Sequence, residues 1–433
     1  MRNTPKGSRL HIGIFGRRNV GKSSLLNAMT RQNVSIVSDV AGTTTDPVEK
    51  PMELLPIGPV LFIDTAGIDD VGALGRMRVE RTKQVFDRTD VGVLVVAGGD
   101  WGEYEEGILA ELASRKAPAI VAFNKSDLAR PAAELTERLK AKKVPFVLTI
   151  ANSQFAIHNP QSYAPGLDRG DGILDLREAL IRAAPEDFIN APSILGDLVP
   201  AGELVMLVVP IDLEAPKGRL ILPQVQAIRD VLDVDAYCMV VKERELRDAL
   251  DRLNRPPALV VTDSQGFLKV AGDTPVSIPL TSFSILFARY KGDLGEFVRG
   301  AMAIESLRGG DRVLIAEACS HHPIGDDIGR VKIPRWLQQY VGGKLEFNSV
   351  QGHDFPQDLS PYKLVVHCGA CMWNRRAMLT RILRCRQAGV PIANYGMTIA
   401  YTLGIFERAL GPFPAALELY HQLLRRRGPD PAR

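Results

Sequence analysis

The chain has 433 residues, 45% of them apolar and 24% charged, with a formal net charge of +3. At roughly 100–200 residues per domain this length predicts two to four domains of ordinary soluble composition. The near-balanced charge gives no global case for nucleic-acid or membrane binding, and apolar runs such as 91–98 and 204–210 fall far short of the ~20 residues a spanning helix needs.

In chain order, the first predicted element is a strand over 9–16 that ends in glycine and feeds a loop and a helix over 22–30. The apolar stretch runs straight into that loop, so the N-terminus reads as a first strand and not as a signal peptide, and the expected location is the cytoplasm. The loop, Gly16-Arg17-Arg18-Asn19-Val20-Gly21-Lys22-Ser23, fits the phosphate-loop pattern GxxxxGK followed by Ser or Thr. Its glycines let backbone N–H groups face the phosphates, and the helix that follows presents its positive end to the anion. Lys22 would reach the β and γ phosphates, and the Ser23 hydroxyl would coordinate magnesium. Strands at 60–64, 91–96 and 120–123 follow, with helices at 76–86, 105–115 and 173–182. This alternation argues for a parallel sheet covered by helices, in a domain that closes near residue 188. Asp64-Thr65-Ala66-Gly67 follows the first of those strands, which puts Asp64 near the metal and the Gly67 amide near the γ-phosphate. Asn124-Lys125-Ser126-Asp127 follows the third.

With these motifs the sequence resembles the translation-factor-like small GTPases, whose Asn-Lys-x-Asp motif reads guanine. The resemblance implies that Asn124, Lys125 and Asp127 select GTP over ATP. Ala151-Asn152 stands where that family's fifth motif usually reads Ser-Ala. Gly42-Thr43-Thr44-Thr45-Asp46 resembles the switch motif of the tRNA-modifying and ribosome-assembly GTPases, although Thr45 replaces that subgroup's usual Arg. By this resemblance Thr44 is the magnesium ligand of the GTP state, and Asn19 matches the residue that holds a potassium ion. Ile68 occupies the position of the water-orienting Gln of other GTPases and cannot position water. Slow, potassium-stimulated hydrolysis is therefore expected, with Asp69 and Asp70 as alternative water-orienting groups.

Residues 190–202, with Pro192, Pro200 and two glycines, read as a linker. The unit that follows, 189–299, alternates strands at 203–211, 236–241 and 258–262 with helices at 222–232 and 243–253. It carries no motif of a site, and reads as an interaction or dimer surface. A third unit, 300–433, has strands at 312–316 and 363–366, another beginning at 391, and helices at 334–340 and 374–387. No internal repeat of fixed period is present, and 425–433 reads as a frayed basic tail. The expected fold is thus α/β in three domains, a P-loop GTPase sheet followed by two smaller α/β domains.

Five cysteines, Cys238, Cys319, Cys368, Cys371 and Cys385, are too few for a disulfide framework and point to ligands or buried thiols. Cys238 and Cys385 lie in apolar settings and read as core. The others fall in Cys319-Ser320-His321 and His367-Cys368-Gly369-Ala370-Cys371, each directly after an apolar strand, with 45 residues between His321 and His367. If those strands lie parallel in one sheet, both groups emerge at its carboxyl edge, where open α/β sheets bind ligands. Cys371 is expected to open a helix whose positive end favours thiolate. Three thiolates with one imidazole satisfy a tetrahedral zinc; the same thiolates can hold three irons of a 4Fe-4S cube with the fourth weakly ligated. Ligand chemistry alone leaves zinc and iron–sulfur open.

A phosphate-loop GTPase, a middle α/β domain and a C-terminal CxH–HCxxC set, in that order, resemble the GTPase maturases of FeFe-hydrogenases over the whole chain. The likeness extends to Leu222-Pro223-Gln224-Val225-Gln226, Ile228-Arg229-Asp230 and Asn394-Tyr395-Gly396. It implies a homodimer through the middle domain and a 4Fe-4S cluster on Cys319, Cys368 and Cys371, with His321 and His367 as candidate fourth ligands. It also implies a scaffold that accepts a transient di-iron subcluster from two radical-SAM maturases and delivers it to the FeFe-hydrogenase apoprotein. The competing reading is an RNA-modifying or ribosome-assembly GTPase with a zinc module. Against it stand the low net charge and the lack of a dense basic patch with aromatics.

Overall fold

The computed structural model describes residues 5–30, 48–54, 58–65, 83–151, 172–185, 193–210, 220–318, 327–352 and 354–427. It forms two compact units, Met1–Ala191 and Pro192–Arg433.

The first unit is built on a six-stranded sheet in the order β2-β3-β1-β4-β5-β6. The strands are β1 (Leu10–Phe15), β2 (Val48–Leu54), β3 (Gly58–Asp64), β4 (Val91–Ala97), β5 (Ala119–Asn124) and β6 (Phe146–Leu148). All neighbours are parallel except β2 with β3. β1 is buried at every position and β4 at all but its last, as central parallel strands covered on both faces must be. α1 (Lys22–Thr30) covers one face, burying Leu25 and Leu26 with Ile12 and Val93. α2 (Glu103–Ser114) and α3 (Ala133–Ala141) cover the other, burying Leu112 and Leu139 with Phe15 and Phe123. α4 (Ile173–Ala183) returns to the first face through Leu176 and Leu180. The sequence did not announce β2: it holds Pro51, which is tolerated because the strand pairs only as an antiparallel edge.

The second unit holds two four-stranded, all-parallel sheets. The first contains β7 (Leu204–Val208), β8 (Tyr237–Val241), β9 (Leu259–Thr262) and β10 (Leu280–Ser282), in the order β10-β9-β7-β8. The second contains β11 (Arg312–Glu317), β12 (Glu346–Gln351), β13 (Leu364–His367) and β14 (Ile392–Asn394), in the order β12-β11-β13-β14. Each therefore places its first and third strands side by side in the middle, with the second outside the first and the fourth outside the third. The topology repeats although the sequence does not. The switch point of each sheet lies between those central strands, β7/β9 and β11/β13.

The helices are α5 (Leu222–Asp233), α6 (Leu246–Asp251), α7 (Phe267–Asp273), α8 (Phe283–Lys291), α9 (Leu294–Met302), α10 (Ile333–Val341), α11 (Arg375–Gln387), α12 (Tyr395–Thr402), α13 (Phe406–Leu410) and α14 (Pro414–Arg427). One continuous apolar core runs through both sheets, joining Val205, Val260 and Phe287 to Val313, Val365 and Ile392. α9 packs on β14 so closely that a Cβ at Gly300 would meet the Ile392 carbonyl oxygen at 1.8 Å. The expected boundary at 299/300 falls inside this helix. Arg425–Arg427, read from sequence as part of a frayed tail, belong to α14. The strand expected from 391 ends at Asn394, which caps α12 by accepting the Gly396 and Met397 amide hydrogens. Cys385 is buried as expected, whereas Cys238 is half-buried because β8 is an edge strand. No described helix is long and apolar enough to cross a membrane.

Candidate functional site

In the first unit the three described nucleotide motifs leave one sheet edge, after β1, β3 and β5. The phosphate loop turns at Gly21, where φ is +90° and a Cβ would stand 2.3 Å from the Asn124 amide nitrogen. Only glycine fits there. Lys22 is buried, and its Nζ donates to the carbonyls of Gly16 (2.8 Å) and Arg17 (2.6 Å), so the cation is held inside its own loop. The Ser23 hydroxyl donates to Asp64 Oδ2 at 2.8 Å. Burial pushes the Asp64 carboxyl above its usual range, against the Ser23 hydrogen bond and the charges of Lys22 and Lys50. Its Oδ1 is buried with no hydrogen-bond partner among the described residues. An oxygen-only pair with an unused buried carboxylate oxygen is the donor chemistry magnesium takes, so these residues fit that ion.

The Asn-Lys-x-Asp loop divides its labour. Asn124 is buried and works as a strut: its Nδ2 donates to the Val20 carbonyl (2.9 Å) and its Oδ1 accepts the Ala151 amide (3.0 Å). Lys125, at φ +57°, donates from Nζ to the Asn19 carbonyl at 2.8 Å. Both side chains tie the Asn-Lys-x-Asp loop to the phosphate loop, while Asp127 is exposed in the turn. A further brace was not anticipated. Arg17 pairs with the buried Glu105 of α2 through two bonds of 2.7 and 2.9 Å, and Glu105 also accepts the Gly102 amide at 2.9 Å. Arg17 lies over the Tyr104 ring as well, 5.3 Å from its centre. The residues Gly42–Asp46 with Thr44, and Gly67, Ile68, Asp69, Asp70 and Asn152, lie outside the described residues.

In the second unit β11 and β13 are adjacent and parallel, with Ala316 opposite His367. The C-x-x-C loop therefore leaves the carboxyl edge of the third sheet at its switch point, beside the end of β11 that leads to Cys319. Cys319 and His321 lie outside the described residues, and among the described residues no group of three metal-donor side chains is assembled. Cys368 and Cys371 are half-buried. The Cys368 sulfur accepts the Ala318 amide hydrogen at 3.1 Å, an N–H···S bond of the kind that steadies a thiolate. Two thiols on one tight loop, one already served by a backbone amide, fit a soft, thiolate-ligated group. Cys371 does not open the helix. α11 begins at Arg375 under the Asn374 cap, whose side chain accepts the Ala377 amide, so Cys371 sits in the turn before it.

His367 is held by partners on both sides of its ring. The ring is fully buried, with Nδ1 at 2.8 Å from the Cys368 carbonyl and Nε2 at 2.8 Å from Arg381 Nη1. Burial and the Arg381 charge depress its pKa to about 3, so the ring is neutral. With both nitrogens engaged, the ring offers no lone pair to a metal in this arrangement. Next to the loop, the buried Glu317 accepts from Gln351 Nε2 (3.1 Å) and the Tyr395 hydroxyl (3.4 Å) and pairs with Arg330 at 3.5 Å. Tyr395 is held protonated far above its ordinary range, first by burial and then by its electrostatic neighbours Cys368, Glu317 and Asp327.

The middle sheet meets this edge. Asn394 Oδ1 accepts from the Ser284 hydroxyl (3.0 Å), which in turn accepts the Gly396 amide (3.1 Å), so the Asn-Tyr-Gly segment stitches the third sheet to α8. Gly369, inside the C-x-x-C loop, lies against Phe287 of α8.

Comparison with known proteins divides the chain the same way. Residues 11–125 match the family model of the 50S ribosome-binding GTPase. Residues 194–292 match the hydrogen maturase F dimerization domain, and 295–412 the hydrogen maturase F tetramerization domain. The tRNA modification GTPase MnmE of Chromobacterium violaceum is 39% identical over 136 residues, covering 30% of this chain and 29% of that protein. MnmE of Synechococcus sp. is 45% identical over 122 residues, covering 27% and 26%. GTPase Der of Wolinella succinogenes is 39% identical over 125 residues, covering 28% and 26%. The chain thus spans less than a third of the length of the curated relatives it matches.

Proposed function

Because the chain belongs to the hydrogen maturase F family, whose two domain models together match about half of it, we propose that it is a GTP-hydrolysing scaffold of FeFe-hydrogenase maturation. On this reading it carries a 4Fe-4S cluster on Cys319, Cys368 and Cys371, takes a di-iron precursor from two radical-SAM maturases and hands it to the hydrogenase apoprotein. The observation that carries the reading is the pair of thiols at the switch point of the third sheet, within the segment matched to a hydrogen maturase model. When bound, the cluster would supply an iron with an exchangeable coordination position. The chain's own part is to hold Cys368 by the Ala318 amide and to pack the loop between its sheet and α8.

At the nucleotide site Lys22 would leave the Gly16 and Arg17 carbonyls for the β and γ phosphates, Ser23 and Asp64 would open to admit magnesium, and Asp127 would select guanine. Thr44 and Gly67 would complete the GTP-bound state, and Asn19 would hold a potassium ion that speeds turnover. Equal GTP turnover in sodium and in potassium would remove the potassium assignment. Self-association fits the open edge of the middle sheet: β8 exposes Tyr237, Met239 and Val240, beside Val225 and Leu232 of α5, an apolar edge that a second copy would cover. Nucleotide state would bias which partner docks without altering the cluster's chemistry; partner affinities that are the same with GDP and with a non-hydrolysable GTP analogue would remove that part.

The deciding experiment is iron and sulfide analysis with EPR on anaerobically prepared, reduced protein. The reading expects about four irons and four sulfides per chain, lost on substitution of Cys319, Cys368 or Cys371. One zinc and no iron would overturn it.

A further inference from the structure

Arg381 is a buried arginine, 4% exposed, on α11. Arginine is seldom buried without something to hold, and the surroundings of this one are specific. Nη1 points to His367 Nε2 at 2.8 Å, and Nη2 donates to the Gly352 carbonyl. The guanidinium lies 4.1 Å from the centre of the Trp373 ring and 4.5 Å from that of Phe355. Guanidinium has only hydrogens to offer, so Nε2 must be the acceptor. The ring proton is then on Nδ1, where it donates to the Cys368 carbonyl. His367 and Cys368 are the residues by which the chain enters the C-x-x-C loop, and Trp373 is the second residue after it.

We propose that Arg381 is the positioning residue of the C-x-x-C loop, gripping its entry through His367 and its exit through Trp373, and setting a fixed positive charge one imidazole away from the thiols. The proposal rests on the cluster reading above. Two features of the packing favour it. The loop and the helix that carries Arg381 both neighbour α8, where Gly369 lies near Phe287 and Arg375 donates to the Tyr290 carbonyl at 2.7 Å. The geometry also needs arginine: a planar fork can address His367 and Gly352 while stacking on two rings, whereas a lysine brings the charge without the fork. A cation held in a low-dielectric core favours the more negative state of an anionic cluster, so it raises the potential at which that cluster accepts an electron.

The test uses the full chain with its cluster reconstituted, as wild type, Arg381→Met, Arg381→Lys and His367→Asn. The readouts are iron content, midpoint potential and nitrogen hyperfine coupling to the reduced cluster. Arg381→Met is expected to keep its iron and shift to a more negative potential, and Arg381→Lys to recover part of that shift. Any nitrogen coupling seen in the wild type is expected to persist in His367→Asn, since His367 is not a ligand. An unmoved potential in Arg381→Met at unchanged iron content would overturn the proposal while leaving the cluster reading intact. Loss of nitrogen coupling in His367→Asn would overturn it too, and decides the matter if Arg381→Met does not fold. A wild type that binds no iron would overturn both.

Discussion

The phosphate loop and the C-x-x-C loop occupy the same kind of place, the carboxyl edge of a parallel sheet, yet they are held there by different means. The phosphate loop is braced largely through its own main chain: the carbonyls of Gly16, Arg17, Asn19 and Val20 accept from Lys22, Lys125 and Asn124. A ligand that competes for those donors can reshape the loop, as a nucleotide switch requires. The C-x-x-C loop is braced from behind, by an imidazole, an indole and a buried guanidinium that a bound group would not touch. On the proposed function it would receive its cluster without being rebuilt. The difference is between a site that answers its ligand and one that waits for it.

Substitutions can break or sharpen this contrast. The largest effect is expected from Cys368→Ser, which should abolish iron binding while GTP turnover stays within about twofold, since the two motifs belong to separate compact units. A parallel fall in turnover, measured by phosphate release, would break the contrast. Next is Lys22→Ala, expected to weaken GTP binding by roughly 10- to 100-fold through lost charge-assisted bonds, with iron content unchanged; titration calorimetry reads it. Arg17→Met leaves Glu105 buried with the Gly102 amide, at a cost of about 1–2 kcal/mol after allowing for Arg17's partial exposure. The loss should appear in the thermal transition that GTP shifts, and in no other.

The smallest effect concerns His11, whose Nε2 contacts the Lys6 carbonyl and whose burial depresses its pKa below 6.5. The fold keeps it neutral, whereas the unfolded chain takes up a proton as pH falls through the ordinary value. The stability this group contributes is therefore present above about pH 6.5 and lost as pH drops below it. His11→Asn should flatten the decline in melting temperature of the first unit as pH falls below about 6.5. An unchanged slope would show that its surroundings compensate.

How much could be read without coordinates follows from the same contrast. The phosphate-loop chemistry was legible because Gly16–Ser23 is one uninterrupted stretch and Asp64 and Asn124 each end an apolar strand. The strut role of Asn124 was not, because its partners are main-chain atoms of Val20 and Ala151 that only folding brings near. The thiols of the proposed site are marked by their spacing. Arg381 is not: on α11 it is one of several arginines, with Arg375, Arg376, Arg384 and Arg386, and nothing in the string marks which one turns inward. β12 escaped notice because Glu346–Gln351 is a half-exposed edge strand with little apolar content. The repeated topology of the second unit was hidden because strand order is kept by connection geometry and not by residue identity.

The single core shared by the two sheets of that unit has a thermodynamic consequence. Segments that bury a common interior melt together, so residues 193–427 should give one calorimetric endotherm and not two. A prosthetic group bound at one sheet then deepens the free-energy well of both. Loading the thiol loop would raise the resistance of the β8 edge to local opening, and stripping it would loosen the surface proposed above for self-association. Hydrogen exchange along β8, with and without the bound group, is where that linkage would be read.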